Sequence, residues 1–118
     1  MRTTLATLLV LAAGTSLAAL ESAGRQIDFG MRVAQKGLWQ EARFRFERAV
    51  KADPQSASAL NNLAVALEQV GDFAGARRAY EHALELKPDD AYIQQNYDLF
   101  READDKRNRK NKRRKAQP

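Results

Sequence analysis

Apolar and polar positions along this chain follow helical spacing over most of its length. The pattern predicts five helices, over residues 22–36, 39–52, 55–70, 73–86 and 89–104. Gly37 and Gly71 follow the first and third of these, where a left-handed cap suits glycine. Asp53-Pro54 and Lys87-Pro88 end the second and fourth, because a residue before proline avoids the α region. Asp89 or Asp90 can cap the last helix. Two stretches stand apart. Residues 5–13 form an apolar run, and residues 106–115 contain no apolar residue.

The helical part repeats itself. The stretch 37–50 aligns with 71–84 at a constant step of 34 residues, and Pro54 and Pro88 keep that step. Phe29-Gly30 pairs with Leu63-Ala64, Ala42 and Phe46 with Ala76 and Tyr80, and Ala49 with Ala83. The alanines let neighbouring helices approach closely, and Phe46 and Tyr80 fill the space between them. Trp39, Phe44, Phe46, Phe73 and Tyr80 are expected to carry much of the core.

On these residues the chain resembles the tetratricopeptide repeat (TPR) family, whose unit is a 34-residue helix–turn–helix with Ala-x3-Phe in the second helix and proline at its end. The resemblance implies an all-α, TPR-like α-solenoid of two helix-turn-helix repeats, 23–56 and 57–90, plus a C-terminal cap helix over 91–105. The whole TPR domain would span 19–105.

Stacked hairpins of this kind have a concave face lined by their first helices. In the resembled family that face binds a peptide or a partner helix. The corresponding positions here are Ile27 and Met31 in the first helix, then Asn61, Asn62, Val65 and Glu68 in the third. The cap helix supplies Tyr92, Gln95, Asn96 and Leu99. Carboxamides suit this task, since each can both donate to and accept from a peptide backbone. The face lacks the Lys/Arg set that would capture a terminal carboxylate.

Charge changes the picture at the C-terminus. Eight of the ten residues 106–115 are basic: Lys106, Arg107, Arg109, Lys110, Lys112, Arg113, Arg114 and Lys115. Residues 19–105 carry eleven basic and fifteen acidic residues, so a mildly acidic body precedes a strongly basic tail. Such a block repels itself and is expected to be disordered over 106–118. It offers a second mode of action, attachment to an anionic membrane or envelope polymer. Nucleic acid is disfavoured, because the tail has no aromatic residue to stack on bases.

The N-terminus reads as an export signal. Met1-Arg2 precedes the apolar run, and Ser16-Leu17-Ala18 places small residues where signal peptidase reads them. Residues 1–18 are expected to be a signal peptide cut after Ala18, directing the protein to a bacterial periplasm. The alternatives are an uncleaved N-terminal anchor and a helix of the mature protein. With Leu20 following Ala19 in place of cysteine, no lipid attachment is expected.

Composition narrows the chemistry. With no cysteine and one histidine, His82, the chain has no thiolate nucleophile and no multi-His metal set. Glu41, Glu47, Glu81 and Glu85 read as surface charges of the second helices, and no glycine-rich phosphate loop is present. No catalytic residue, metal or cofactor is expected. The expected function is a non-enzymatic scaffold for a cell-envelope protein partner, acting as a monomer or weak homodimer.

Overall fold

The computed structural model describes residues 15–118, which are helical throughout apart from short connections. The helices are α1 (Leu17–Gln35), α2 (Trp39–Ala52), α3 (Ala57–Gln69), α4 (Phe73–Leu86) and α5 (Ala91–Ala116). Each packs on the next, and α1 also touches α3. The all-α solenoid of two hairpins followed by a C-terminal helix is therefore the observed architecture.

Local chemistry explains where each helix begins and ends. Ser16, Ser56, Asp72 and Asp90 accept a bond from the backbone N–H three residues on, at 3.2, 3.1, 2.9 and 3.0 Å. Each satisfies one of the donors a helix start leaves free. Gly37 and Gly71 have φ of 75° and 86°, and both close the same motif. The Gly37 and Leu38 N–H groups donate to the Ala34 and Val33 carbonyls, as those of Gly71 and Asp72 do to Glu68 and Leu67. Asp53 and Lys87, each before a proline, leave the helical region with φ of −136° and ψ of 87° and 78°.

Two elements differ from expectation. Helix α1 starts at Leu17, earlier than residue 22, because Ser16 supplies a cap that the sequence pattern did not single out. Of the expected export segment 1–18, residues 1–14 lie outside the described residues and residues 15–18 within them. Its expected cut after Ala18 would fall in the first turn of α1. At the other end, the disordered tail expected over 106–118 is instead a continuation of α5 as far as Ala116. Lysine and arginine are good helix formers, and cations in a last turn suit the helix dipole. The packed half of α5 also removes the cost of nucleation. Lys106 to Glu102 at 2.8 Å and Arg107 to Asp104 at 3.1 Å tie the basic turns to the acidic turn before them.

The core lies in three clusters along the stack. Ala42, Phe46 and Ala66 join α2 to α3, with Val33, Ala34 and Trp39 against them. Ala57, Leu60, Ala83 and Ile93 join α3, α4 and α5. Ala64, Leu67, Ala76, Ala79, Tyr80 and Phe100 form the third. Phe46 and Tyr80 are buried as expected, while Trp39 and Phe73 are half-buried. Phe44, expected in the core, is 46% exposed. The Arg45 and Arg48 guanidiniums lie over its ring, at 5.4 and 5.6 Å from its centroid. Phe100 takes the larger core role, in an aromatic group with Tyr80 and Tyr97.

Candidate partner-binding groove

Helix α1 touches α3, the Asn61–Asn96 bond ties α3 to α5, and a groove of about 250 Å³ opens across the three. Its walls are Met31, Ala34 and Gln35 from α1, Trp39 and Phe46 from α2, Asn62 and Val65 from α3, and Tyr92 from α5. None of these carries a charge. Met31 is 47% and Tyr92 67% exposed, so two large apolar surfaces flank the opening. The carboxamides of Gln35 and Asn62 can both donate to and accept from a peptide backbone. The volume is below the roughly 300–1,000 Å³ of small-molecule pockets, and it suits an anchoring side chain.

The ten residues expected to bind separate into three groups. Met31, Asn62, Val65 and Tyr92 meet in the groove. Ile27, Gln95 and Leu99 do not line it; Gln95 and Leu99 are exposed on α5, and Ile27 is half-buried. Asn61, Asn96 and Glu68 are committed to the fold itself. Asn61 is 2% exposed, and its Oδ1 accepts from Asn96 Nδ2 at 3.1 Å, tying α3 to α5. Asn61 is thus corrected from groove lining to an internal tie. A helix turns about 100° per residue, which sends Asn61 inward where Asn62 faces the opening. Glu68 Oε2 accepts from the Tyr80 hydroxyl at 3.2 Å. Burial first, and then the Glu68 carboxylate, push the Tyr80 hydroxyl well above the ordinary tyrosine range.

Gln35, Trp39 and Phe46 were missed as groove residues. Their signal in sequence is that of core and helix-end positions, and only the stacking of α2 under α1 and α3 exposes an edge of them. The α5 wall is held by an ion-paired group farther along the helix. Asp104 accepts from Arg77 at 2.8 Å and from Arg107 at 3.1 Å, and is 7% exposed. The Arg77 bond holds the Asp104 carboxyl below its usual range, against the opposing effect of burial. Arg107 also lies over the Phe73 ring, 3.3 Å from its centroid.

A cleft of about 500 Å³ lies between α1 and α2, lined by Ser22, Gln26, Phe44, Glu47, Arg48, Lys51 and Ala52. It is larger but belongs to one hairpin and carries a charged rim. The groove across α1, α3 and α5 joins both repeats and is uncharged. His82 is exposed on α4. Among the described residues, no helix is long and apolar enough to cross a membrane.

Comparison with known proteins agrees with the repeat architecture. The family model for the tetratricopeptide repeat matches residues 27–91, more than half of the chain. No curated protein matches it.

Proposed function

The chain belongs to the tetratricopeptide-repeat family, and we propose that it is a scaffold whose groove across α1, α3 and α5 holds a segment of a partner protein. Repeats of this family generally mediate protein–protein interaction, and its members are typically non-catalytic. The observation that carries the reading is the lining of the groove, which is uncharged, apolar and edged by carboxamides. Such a lining suits an internal extended or helical segment with one apolar anchor. A C-terminal carboxylate would need cations that the groove lacks.

The partner belongs to the cell envelope in this reading. Support comes from the basic start, the apolar run over 5–13 and the small residues Ser16 and Ala18, which together have the form of an export signal. An N-terminal anchor retained in the membrane would place the groove at the same location.

Photocrosslinking in the native host tests both parts. A crosslinking amino acid at Asn62 is expected to capture a partner that the same group at His82 does not, and Val65→Arg is expected to abolish the capture. Equal capture from both positions would show that the groove is not the binding face. Mass spectrometry of the same preparation is expected to find Ala19 as the first residue, and an intact Met1 would overturn cleavage.

A further inference from the structure

The basic end of α5 is ordered in a particular way. At about 100° per residue, Asp104, Arg107, Asn108 and Asn111 fall on one side of the helix. The same four line a cavity against Phe73, Ala74, Arg77 and Arg78 of α4, so this side faces the body. On the opposite side fall Lys106, Arg109, Lys110 and Arg113, all exposed. Their spacing is i, i+3, i+4, i+7, the one that carries the apolar stripe of an amphipathic helix. Here it carries four cations within an arc of about 100°. Just before them the outward side is acidic, with Asp98, Glu102 and Asp105. Its polarity reverses between Asp105 and Lys106.

We propose that this outward cationic face of α5, Lys106 to Arg113, docks the protein on the headgroups of anionic phospholipids. A flat anionic surface can meet Arg109, Lys110 and Arg113 at once, because they point away from the body, and Lys106 joins them on leaving its Glu102 partner. Residues 106–115 include no apolar side chain, so the helix rests on headgroups and does not enter the acyl region. The acidic turn before them is repelled by the same surface. Contact is thereby confined to the last three turns, and the body stands off the membrane. A nucleic-acid duplex fits less well. Asn108 and Asn111, the tail's two carboxamides before Gln117, lie on the body-facing side and not where base edges would be read. The proposal is independent of the groove and its partner.

The test is co-sedimentation of the full chain with vesicles, either of phosphatidylcholine alone or of equal parts phosphatidylcholine and phosphatidylglycerol, at low and high salt. Partition onto the neutral vesicles measures any contribution of the N-terminal apolar run. Two variants remove equal charge from different sides of the helix: Arg109→Gln with Arg113→Gln on the outward face, and Lys112→Gln with Lys115→Gln to one side of it. Circular dichroism confirms that both remain folded. At about 1 kcal/mol per cation near such a surface, the outward pair is expected to weaken partition about thirtyfold at low salt. The other pair is turned about 110° from it around the helix and is expected to weaken partition less, about two- to threefold. Equal loss from both pairs would overturn an oriented face. Equal binding to neutral and anionic vesicles would overturn the lipid charge as its ligand. Tighter binding to a DNA duplex at the same salt would transfer the face to nucleic acid and overturn the proposal.

Discussion

Gly30 of α1 lies so close to Phe46 of α2 that a Cβ added to Gly30 would sit 2.5 Å from Phe46 Cε1. The ring cannot withdraw, since Phe46 is 3% exposed and packed with Ala42 and Ala66. The equivalent pair in the second repeat is Ala64 and Tyr80, which share a cluster although Ala64 carries a Cβ. The two hairpins thus solve one packing problem with different pairs. Gly30→Ala gains about 1 kcal/mol of helix propensity but overpacks the contact at about 1–3 kcal/mol. Net destabilisation is expected, read as a fall of a few degrees in Tm by differential scanning calorimetry. A raised Tm would show that the ring yields.

Phe46→Ala is expected to cost about 3–5 kcal/mol, since it empties the space between α1, α2 and α3. A domain of this size has little more than that to lose. Urea unfolding should show the variant largely unfolded without denaturant, and an unchanged midpoint would refute the placement of the ring.

Asn61 and Asn62 are adjacent in sequence and should separate in function. Asn61→Ala leaves the Asn96 amide without its acceptor inside the α3–α5 contact and is expected to cost about 1–2 kcal/mol of stability. Asn62→Ala should leave the melting curve within about 0.5 kcal/mol of wild type and weaken partner capture. The reverse pattern would exchange their roles.

Asp104 makes stability depend on acid. Its carboxyl lies below the usual range when folded, so an unfolded chain takes up the proton first as pH falls below about 4. The stabilisation is full above that value and drains away as pH falls through the folded one. Asp104→Asn should lose about 1 kcal/mol at pH 7, a modest figure because Arg77 and Arg107 are partly exposed to screening. Thermal melts from pH 7 to pH 3 should show wild type converging on the variant at the acid end. A constant gap would show that the charge is not the cause.

Tyr80 acts at the other extreme. Its hydroxyl is raised when folded, so its contribution is complete below about pH 10 and is lost as pH rises above that. In an alkaline melt series, wild type should lose stability more steeply than Tyr80→Phe, which has no proton to release at that position. Parallel curves would contradict the burial of the hydroxyl beside Glu68.

Much of this was legible in the sequence for local reasons. The bounds of α2 and α4 coincide with the expected ones because glycine caps and prolines act within a few residues of themselves. The N-terminal extension of α1 was missed, although Ser16 carries its own cap, because the apolar run before it read as a separate segment. In the groove, Met31, Asn62, Val65 and Tyr92 follow from helical period and repeat position. Trp39, Phe46 and Gln35 do not, since an edge exposed between two hairpins is set by how they stack.

The sequence by itself determined the 34-residue unit, its two copies, the helix stops at Gly37, Pro54, Gly71 and Pro88, and the change of charge at Lys106. These depend on backbone preferences and on periodicity, which one strand of text contains. Only the tertiary structure decided that Asn61 turns inward to Asn96, that Phe44 lies outside the core and Phe100 within it, and that the basic stretch continues as α5. In each case the outcome rests on a partner supplied by another helix or an adjacent turn. Asn96 bonds Asn61, Tyr80 shelters Phe100, and Asp104 holds Arg107 at the point where the charge reverses.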